Sequence, residues 1–120
     1  MSTGGLYGET GVKYVAHFGL YAKCIKNLGT EKHAQLLSDA CHLKDVGCFA
    51  MTELGHGSNV RQVETVAEYD EKTGEFVLNT PSQTAMKFWI GNLAKSANMA
   101  VVFAQLITKG QNEGVHVFVV

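Results

Sequence analysis

QVETVAEYDEKTGEFVLN, residues 62–79, reads as two strands joined by a tight turn. Over residues 62–69 the side chains alternate. Val63, Thr65, Ala67 and Tyr69 fall on one face, and Gln62, Glu64, Val66 and Glu68 on the other. A period of two is that of a strand with one face in a core and the other in solvent. Asp70-Glu71-Lys72-Thr73-Gly74 follows as a hairpin connection, with glycine where positive φ is needed. Glu75 to Asn79 is the return strand.

On either side of this hairpin the pattern stays β-like back to residue 46. Val46 to Met51 is a short apolar run, a buried strand. Thr80 to Met86 holds the only proline, Pro81, and reads as a loop. Met99 to Ile107 is a long apolar strand, Thr108 to Gly114 a second, longer turn, and Val115 to Val120 a last strand. The first 45 residues have a different period. Val12, Val15, Phe18, Ala22 and Ile25 recur at three or four, which predicts a helix over Gly11–Leu28 with that stripe buried. Gly29 is the expected left-handed terminator, Thr30 the N-cap of a second helix, and Glu31 sits in its first turn. Ala34, Leu37, Ala40 and Cys41 form that helix's apolar stripe. The fold class is therefore α+β, an N-terminal helical hairpin followed by an antiparallel, barrel-like sheet. The apolar, uncapped ending Phe118-Val119-Val120 leads us to expect a segment of a longer protein.

Composition narrows the classes of function. In 120 residues, 46% are hydrophobic and 18% charged, the balance of a globular chain rather than a disordered one. Ten basic against eleven acidic side chains argue against nucleic-acid binding, which rests on clustered Lys and Arg. No apolar run approaches the roughly 18 residues of a membrane helix, and MSTGGLYGE lacks the basic-then-apolar pattern of a secretory leader. Cys24, Cys41 and Cys48 have no CxxC spacing and are expected as free, mostly buried thiols. The five histidines, His17, His33, His42, His56 and His116, form neither HExxH nor an i,i+4 pair, so no metal site is expected.

Two stretches are dense in chemistry. In Cys48-Phe49-Ala50-Met51-Thr52-Glu53-Leu54-Gly55-His56-Gly57-Ser58-Asn59 a buried strand feeds a loop with two glycines, two hydroxyls and a histidine. Such a loop suits a ligand, because glycines let exposed N–H groups approach phosphate or carbonyl oxygens. It equally suits a surface turn. It is neither a Walker loop nor a Rossmann fingerprint. Glu53 is expected to hold the loop's shape through backbone N–H groups. In Lys87-Phe88-Trp89-Ile90-Gly91-Asn92 the only tryptophan precedes a glycine by two residues. It either anchors a sheet corner or packs on a flat ring.

CFAMTELGHGSNV, then ETVAEYDEKTGEFVLNTPSQTAMKFWIGNLAKSANMAVVFAQLITKG, then GVHVFVV, resembles the acyl-CoA oxidases of the acyl-CoA dehydrogenase superfamily, in order and with matching spacing. The resemblance implies the end of an N-terminal helical domain over residues 1–45 and most of a middle β-domain over 46–120. It implies FAD as cofactor, fatty acyl-CoA and O2 as reactants, trans-2-enoyl-CoA and hydrogen peroxide as products, a homodimeric parent and a peroxisomal location. Thr52 matches the threonine that hydrogen-bonds the flavin, Trp89 the tryptophan beside its ring, Gly57 a glycine near its pyrophosphate, and Ser58 a serine near the CoA arm. Gly91 matches the oxidase glycine, where dehydrogenases carry Ser or Thr. Ile90 and Phe88 depart from the proline and second tryptophan common there, and altered packing is the expected result. The resemblance places the catalytic carboxylate in a C-terminal helical domain beyond Val120, so no catalytic residue is expected here. A dehydrogenase using an electron-transfer flavoprotein, or a non-catalytic acyl-CoA or protein binding module, are the alternatives.

Overall fold

The structure, a computed structural model, describes residues 8–120, so the leader reading of the first residues lies outside the described part. One helix, α1, begins as Gly8–Tyr14, passes through a π-helical stretch Val15–Ala22 and ends as Lys23–Leu28. A 3-10 turn, Glu31–His33, leads into α2, Ala34–Cys41. The strands are β1 (Gly47–Ala50), β2 (Val66–Asp70), β3 (Glu75–Asn79), β4 (Met99–Thr108) and β5 (Gln111–Val119). They form one sheet in the order β1-β4-β2-β3, with β5 also on β4.

The chain divides into two compact units. The first takes the described residues up to Phe49 together with Ile90–Val101 and Val119–Val120. Its buried helix face is the predicted one only in part. Ala22 and Ile25 are buried and Phe18 is half-buried, as expected, but Val12 and Val15 are exposed, at 66% and 53%, and Ala16, His17 and Tyr21 are buried in their place. The π stretch explains the correction. Its i→i+5 bonding spaces one face by five residues, so 16/17 and 21/22 align and the first part of the three-four stripe turns to solvent. His17 ties this unit together: its Nε2 donates to the Ala40 carbonyl at 2.9 Å and its Nδ1 accepts the Gly47 N–H at 3.0 Å. The Tyr21 ring is fully buried where Gly47 has no side chain. Burial, then the neighbouring Asp45 and Cys48, pushes the Tyr21 phenol pKa up.

Gly29 does end α1, but with extended backbone (φ −73°) rather than a left-handed one. Glycine is needed there because a Cβ would strike the Ile25 carbonyl oxygen, which accepts the Gly29 N–H at 2.8 Å. Thr30 is the N-cap of the 3-10 turn that leads into α2, rather than of α2 itself, and the His33 ring turns back to accept the Thr30 N–H at 3.0 Å. Of the three thiols only Cys48 is buried; Cys41 is exposed and Cys24 half-buried, so the expectation of mostly buried thiols is corrected.

The second unit comprises Ala50–Trp89 and Val102–Phe118. The hairpin that opened the sequence reading is present, with β2 and β3 antiparallel from Val66↔Asn79 to Asp70↔Glu75 and Gly74 at φ +71°. The alternation also chose the buried face: Val63, Thr65 and Ala67 are each 3% exposed or less. β2 starts later than predicted because Val60–Gln62 forms a 3-10 turn.

The antiparallel, barrel-like sheet is corrected. β2 runs parallel to β4, with Val66↔Gln105, Ala67↔Leu106 and Glu68↔Ile107 opposed, so the sheet is mixed and open. The cause is the long connection through residues 80–98, which returns the chain in the direction of β2; only a crossover of this kind joins parallel strands. The second turn is also shorter than predicted. Lys109 (φ 51°) and Gly110 (φ 74°) make a two-residue turn of the primed type, and β5 begins at Gln111. Gly114, φ +86°, lies inside β5 rather than in the turn.

Two glycines offer a paired test of this packing. Gly47→Ala places a methyl on the immobile Tyr21 ring, an overpacking cost of about 1–3 kcal/mol. Gly57→Ala meets nothing within 4 Å and should change stability by less than about 0.5 kcal/mol. Urea unfolding of the two variants checks the difference.

Candidate functional site

β1 delivers the chain to Thr52-Glu53, and a single bridge pairs Glu53 with Lys87. The Phe88 N–H donates to the Thr52 carbonyl at 3.0 Å, the Leu54 N–H to the Met86 carbonyl at 2.9 Å and the Gly55 N–H to the Thr84 carbonyl at 2.9 Å. Residues 52–55 of the first chemistry-rich stretch thus run beside residues 84–88 within the second unit. Gly55 is required by this contact, since a Cβ would meet the Thr84 side chain at 2.9 Å. The Glu53 N–H donates to the His56 carbonyl at 2.9 Å and closes the loop on itself.

Glu53 is the buried centre of the arrangement, 2% exposed. Its carboxylate accepts the Glu64 N–H at 2.8 Å, the Thr65 N–H at 2.9 Å and the Thr65 hydroxyl at 2.6 Å. The role expected from sequence, holding the loop through backbone N–H groups, is what these bonds do. Lys87 Nζ adds a 3.1 Å ion pair and donates to the carbonyls of Met51 at 3.2 Å and Phe103 at 2.7 Å. Burial alone would raise the Glu53 pKa, but the donors from Glu64, Thr65 and Lys87 outweigh it and hold the acid below its usual range. Burial lowers the pKa of Lys87, and Glu53 restores part of the loss. Sequence reasoning missed Lys87. The available signal was one charge set between the apolar Met86 and Phe88 in an otherwise uncharged stretch.

His56 Nε2 lies 3.5 Å from Glu64 Oε2. Glu53, His56 and Glu64 bring one ligand atom each within 4.8 Å of one another. A cation there would share Glu53 with the Lys87 ammonium, so the ion pair already meets that carboxylate's need for positive charge.

The structure places the other residues singled out from sequence as follows. Thr52 is half-buried, with its carbonyl bound by Phe88; among the described residues its hydroxyl has no hydrogen-bond partner. Trp89 is 85% exposed, with the Phe88 ring edge-on at 5.4 Å. Its φ of +59° is a genuine outlier for a bulky residue, the kind of strain found at ligand sites. Gly57 and Ser58 are exposed further along the Thr52 loop, and nothing lies within 4 Å of where a Gly57 Cβ would be. Gly91 belongs to the other unit. Its ordinary φ and nearest neighbour, Ala16 Cβ at 3.6 Å, leave room for a side chain. Within the second unit, then, Thr52 offers a hydroxyl, Trp89 an exposed flat face and Gly57 open backbone.

Residues 48–120 match the family model described as acyl-CoA dehydrogenase, middle domain. The chain belongs to the acyl-CoA dehydrogenase family. It is 48% identical over 117 residues to acyl-coenzyme A oxidase 3, peroxisomal, of Arabidopsis thaliana, and 50% identical over 105 residues to that plant's peroxisomal acyl-coenzyme A oxidase 1. These alignments cover 96% and 87% of the chain but 17% and 16% of the relatives, so the chain spans a small part of their length. Among solved structures, acyl-CoA oxidase 3 of Yarrowia lipolytica superposes with TM-score 0.92 at 42% identity over 98% of this chain and 17% of that one. Caenorhabditis elegans acyl-CoA oxidase-2, solved with FAD, ascaroside-CoA and ATP, gives 0.86 at 43% identity over 90% of this chain and 16% of that one.

Stability should follow the state of Glu53. Its folded pKa is depressed, so its contribution is complete above the unfolded value, about 4.3, and is lost as pH falls through the folded value. Glu53→Gln leaves Lys87 buried without its counter-charge and should cost about 3–5 kcal/mol near neutrality. Denaturant midpoints measured from pH 3 to 7 check both points: the variant starts lower and loses less on acidification.

Proposed function

We propose that this chain is part of an FAD-dependent acyl-CoA oxidase. The enzyme removes the α-proton and β-hydride of a fatty acyl-CoA, giving the trans-2-enoyl-CoA, and O2 takes up two electrons and two protons as hydrogen peroxide. Residues 1–45 would end its N-terminal helical domain and 46–120 form most of its middle β-domain. The peroxisome is its proposed location, as the names of the Arabidopsis relatives suggest, and a homodimer is its proposed state by family resemblance alone.

FAD, when bound, supplies the hydride acceptor and the point from which electrons leave for O2. The chain's own residues then have distinct tasks. The Thr52 hydroxyl donates to the edge of the ring, Trp89 covers part of its face, the Gly57 backbone approaches the pyrophosphate and Ser58 lies toward the CoA arm. Proton abstraction needs a carboxylate with free lone pairs at the substrate α-carbon. Glu53 does not qualify, because four donors and deep burial hold its carboxylate. The base therefore comes from elsewhere in the whole protein, by resemblance from a helical domain beyond Val120.

Gly91 is the observation that carries the oxidase reading over the dehydrogenase one. Its backbone does not need glycine, and a Cβ would have only an ordinary 3.6 Å contact with Ala16. A residue kept small where the fold leaves room is suited to leaving space beside the flavin for O2. Gly91→Thr in the whole enzyme fills that space without disturbing the fold. Stopped-flow measurement should show reoxidation by O2 slowed about tenfold, some 1.4 kcal/mol in barrier, with reduction by acyl-CoA nearly unchanged. Equal slowing of both steps, or of neither, refutes the assignment.

A further inference from the structure

Lys87 occupies a position that neither the hydride transfer nor the oxygen step requires, yet it is built into the fold with unusual completeness. Its ammonium group has three hydrogens, and three acceptors receive them: the carbonyls of Met51 and Phe103 and the Glu53 carboxylate. Its side chain is 13% exposed and Glu53's is fully buried. A buried ion pair is often no more stabilising than an apolar pair of the same shape, so stability alone does not explain it. Directional bonds to fixed points are what it offers beyond apolar packing.

Those points lie beside the candidate flavin contacts. Met51 is joined to Thr52, and Glu53 follows it. On the other segment, Lys87 is followed by Phe88, whose N–H holds the Thr52 carbonyl, and then by the strained Trp89. We propose that Lys87 is a positioning residue: its ammonium, locked between Met51, Glu53 and Phe103, sets Thr52 and Trp89 in register with each other so that both meet the flavin ring. The inference rests on the reading of Thr52 and Trp89 as flavin contacts. All the groups involved belong to the second unit. A methionine at 87 would fill the space but leave the Glu53 charge without its partner and the two carbonyls without this donor. The strain at Trp89 persists only while its surroundings over-determine it, and Lys87 is two residues away.

The test uses the whole FAD-loaded enzyme carrying this sequence, with Lys87→Met, Glu53→Gln, the double variant and Thr52→Val, each compared well below its melting temperature. Lys87→Met should weaken FAD affinity at least about tenfold and alter the vibronic shape of the bound-flavin absorption band, while near-UV circular dichroism away from the flavin bands stays native. The double variant should be no worse than the more affected single variant, since the pair acts as a unit. Its two charges are both removed, so it also serves if either single variant fails to fold. If Thr52→Val shifts the flavin band but Lys87→Met and the double variant leave band and affinity within twofold of wild type, the positioning role is wrong and the site reading stands. If Thr52→Val also changes nothing, the site reading falls and the proposal with it.

Discussion

The Glu53 carboxylate is the point to which the second unit is tied. It follows the end of β1, yet its oxygens hold the backbone at Glu64 and Thr65, just before β2, and the ammonium of Lys87 from the segment before Trp89. Lys87 extends the same system to Met51 and to Phe103 in β4. One buried charge pair thus connects four stretches remote in sequence. Burying a carboxylate is costly unless its lone pairs are taken, and here they are. That cost gives the arrangement its specificity, because a shift of any one segment would leave a charge or a donor unmatched in a place water does not reach. The loop between, residues 54–59, is anchored at Glu53 by this pair and bonded through Leu54 and Gly55 to the Met86 and Thr84 carbonyls.

How much was legible in the sequence depended on the range of the forces involved. The β2–β3 hairpin is local: alternation chose its buried face and Gly74 its turn, and both are present. The parallel pairing of β2 with β4 was not legible, because strand direction is set by the connection through residues 80–98, which has no periodicity to read. The first helix was read at its correct end, Leu28, and with the correct face at Ala22 and Ile25, but not at Val12 and Val15. Spacing arguments assume 3.6 residues per turn, and a π stretch over Val15–Ala22 breaks that assumption in the middle of the helix. His17, counted from sequence only as a missing metal ligand, proves to join α1, α2 and β1 through both ring nitrogens.

The site divides in the same way. Thr52, Trp89, Gly57, Ser58 and Gly91 were named because motifs carry them. Glu53 was expected to take backbone N–H bonds, and it does, though from Glu64 and Thr65 beyond the loop. Its charged partner was hidden, since Lys87 is remote in sequence and pairs with it only once the two segments lie side by side. A lone charge between Met86 and Phe88 marks that lysine as unusual but does not say which acid it meets. That pairing is a tertiary fact.

The glycines show how packing separates scaffold from function where sequence treats them alike. At Gly47 a Cβ would fall on the Tyr21 ring, at Gly55 on Thr84, and at Gly29 on a backbone oxygen. In each case the chain's own neighbours require the small residue, and the glycine belongs to the scaffold. At Gly57 nothing stands within 4 Å, and at Gly91 only an alanine methyl at ordinary contact distance. Both have ordinary φ, so neither conformational freedom nor crowding by this chain accounts for them. The packing of this chain does not require glycine at either position, and that is the ground on which the proposed oxidase reading gives each of them a role of its own.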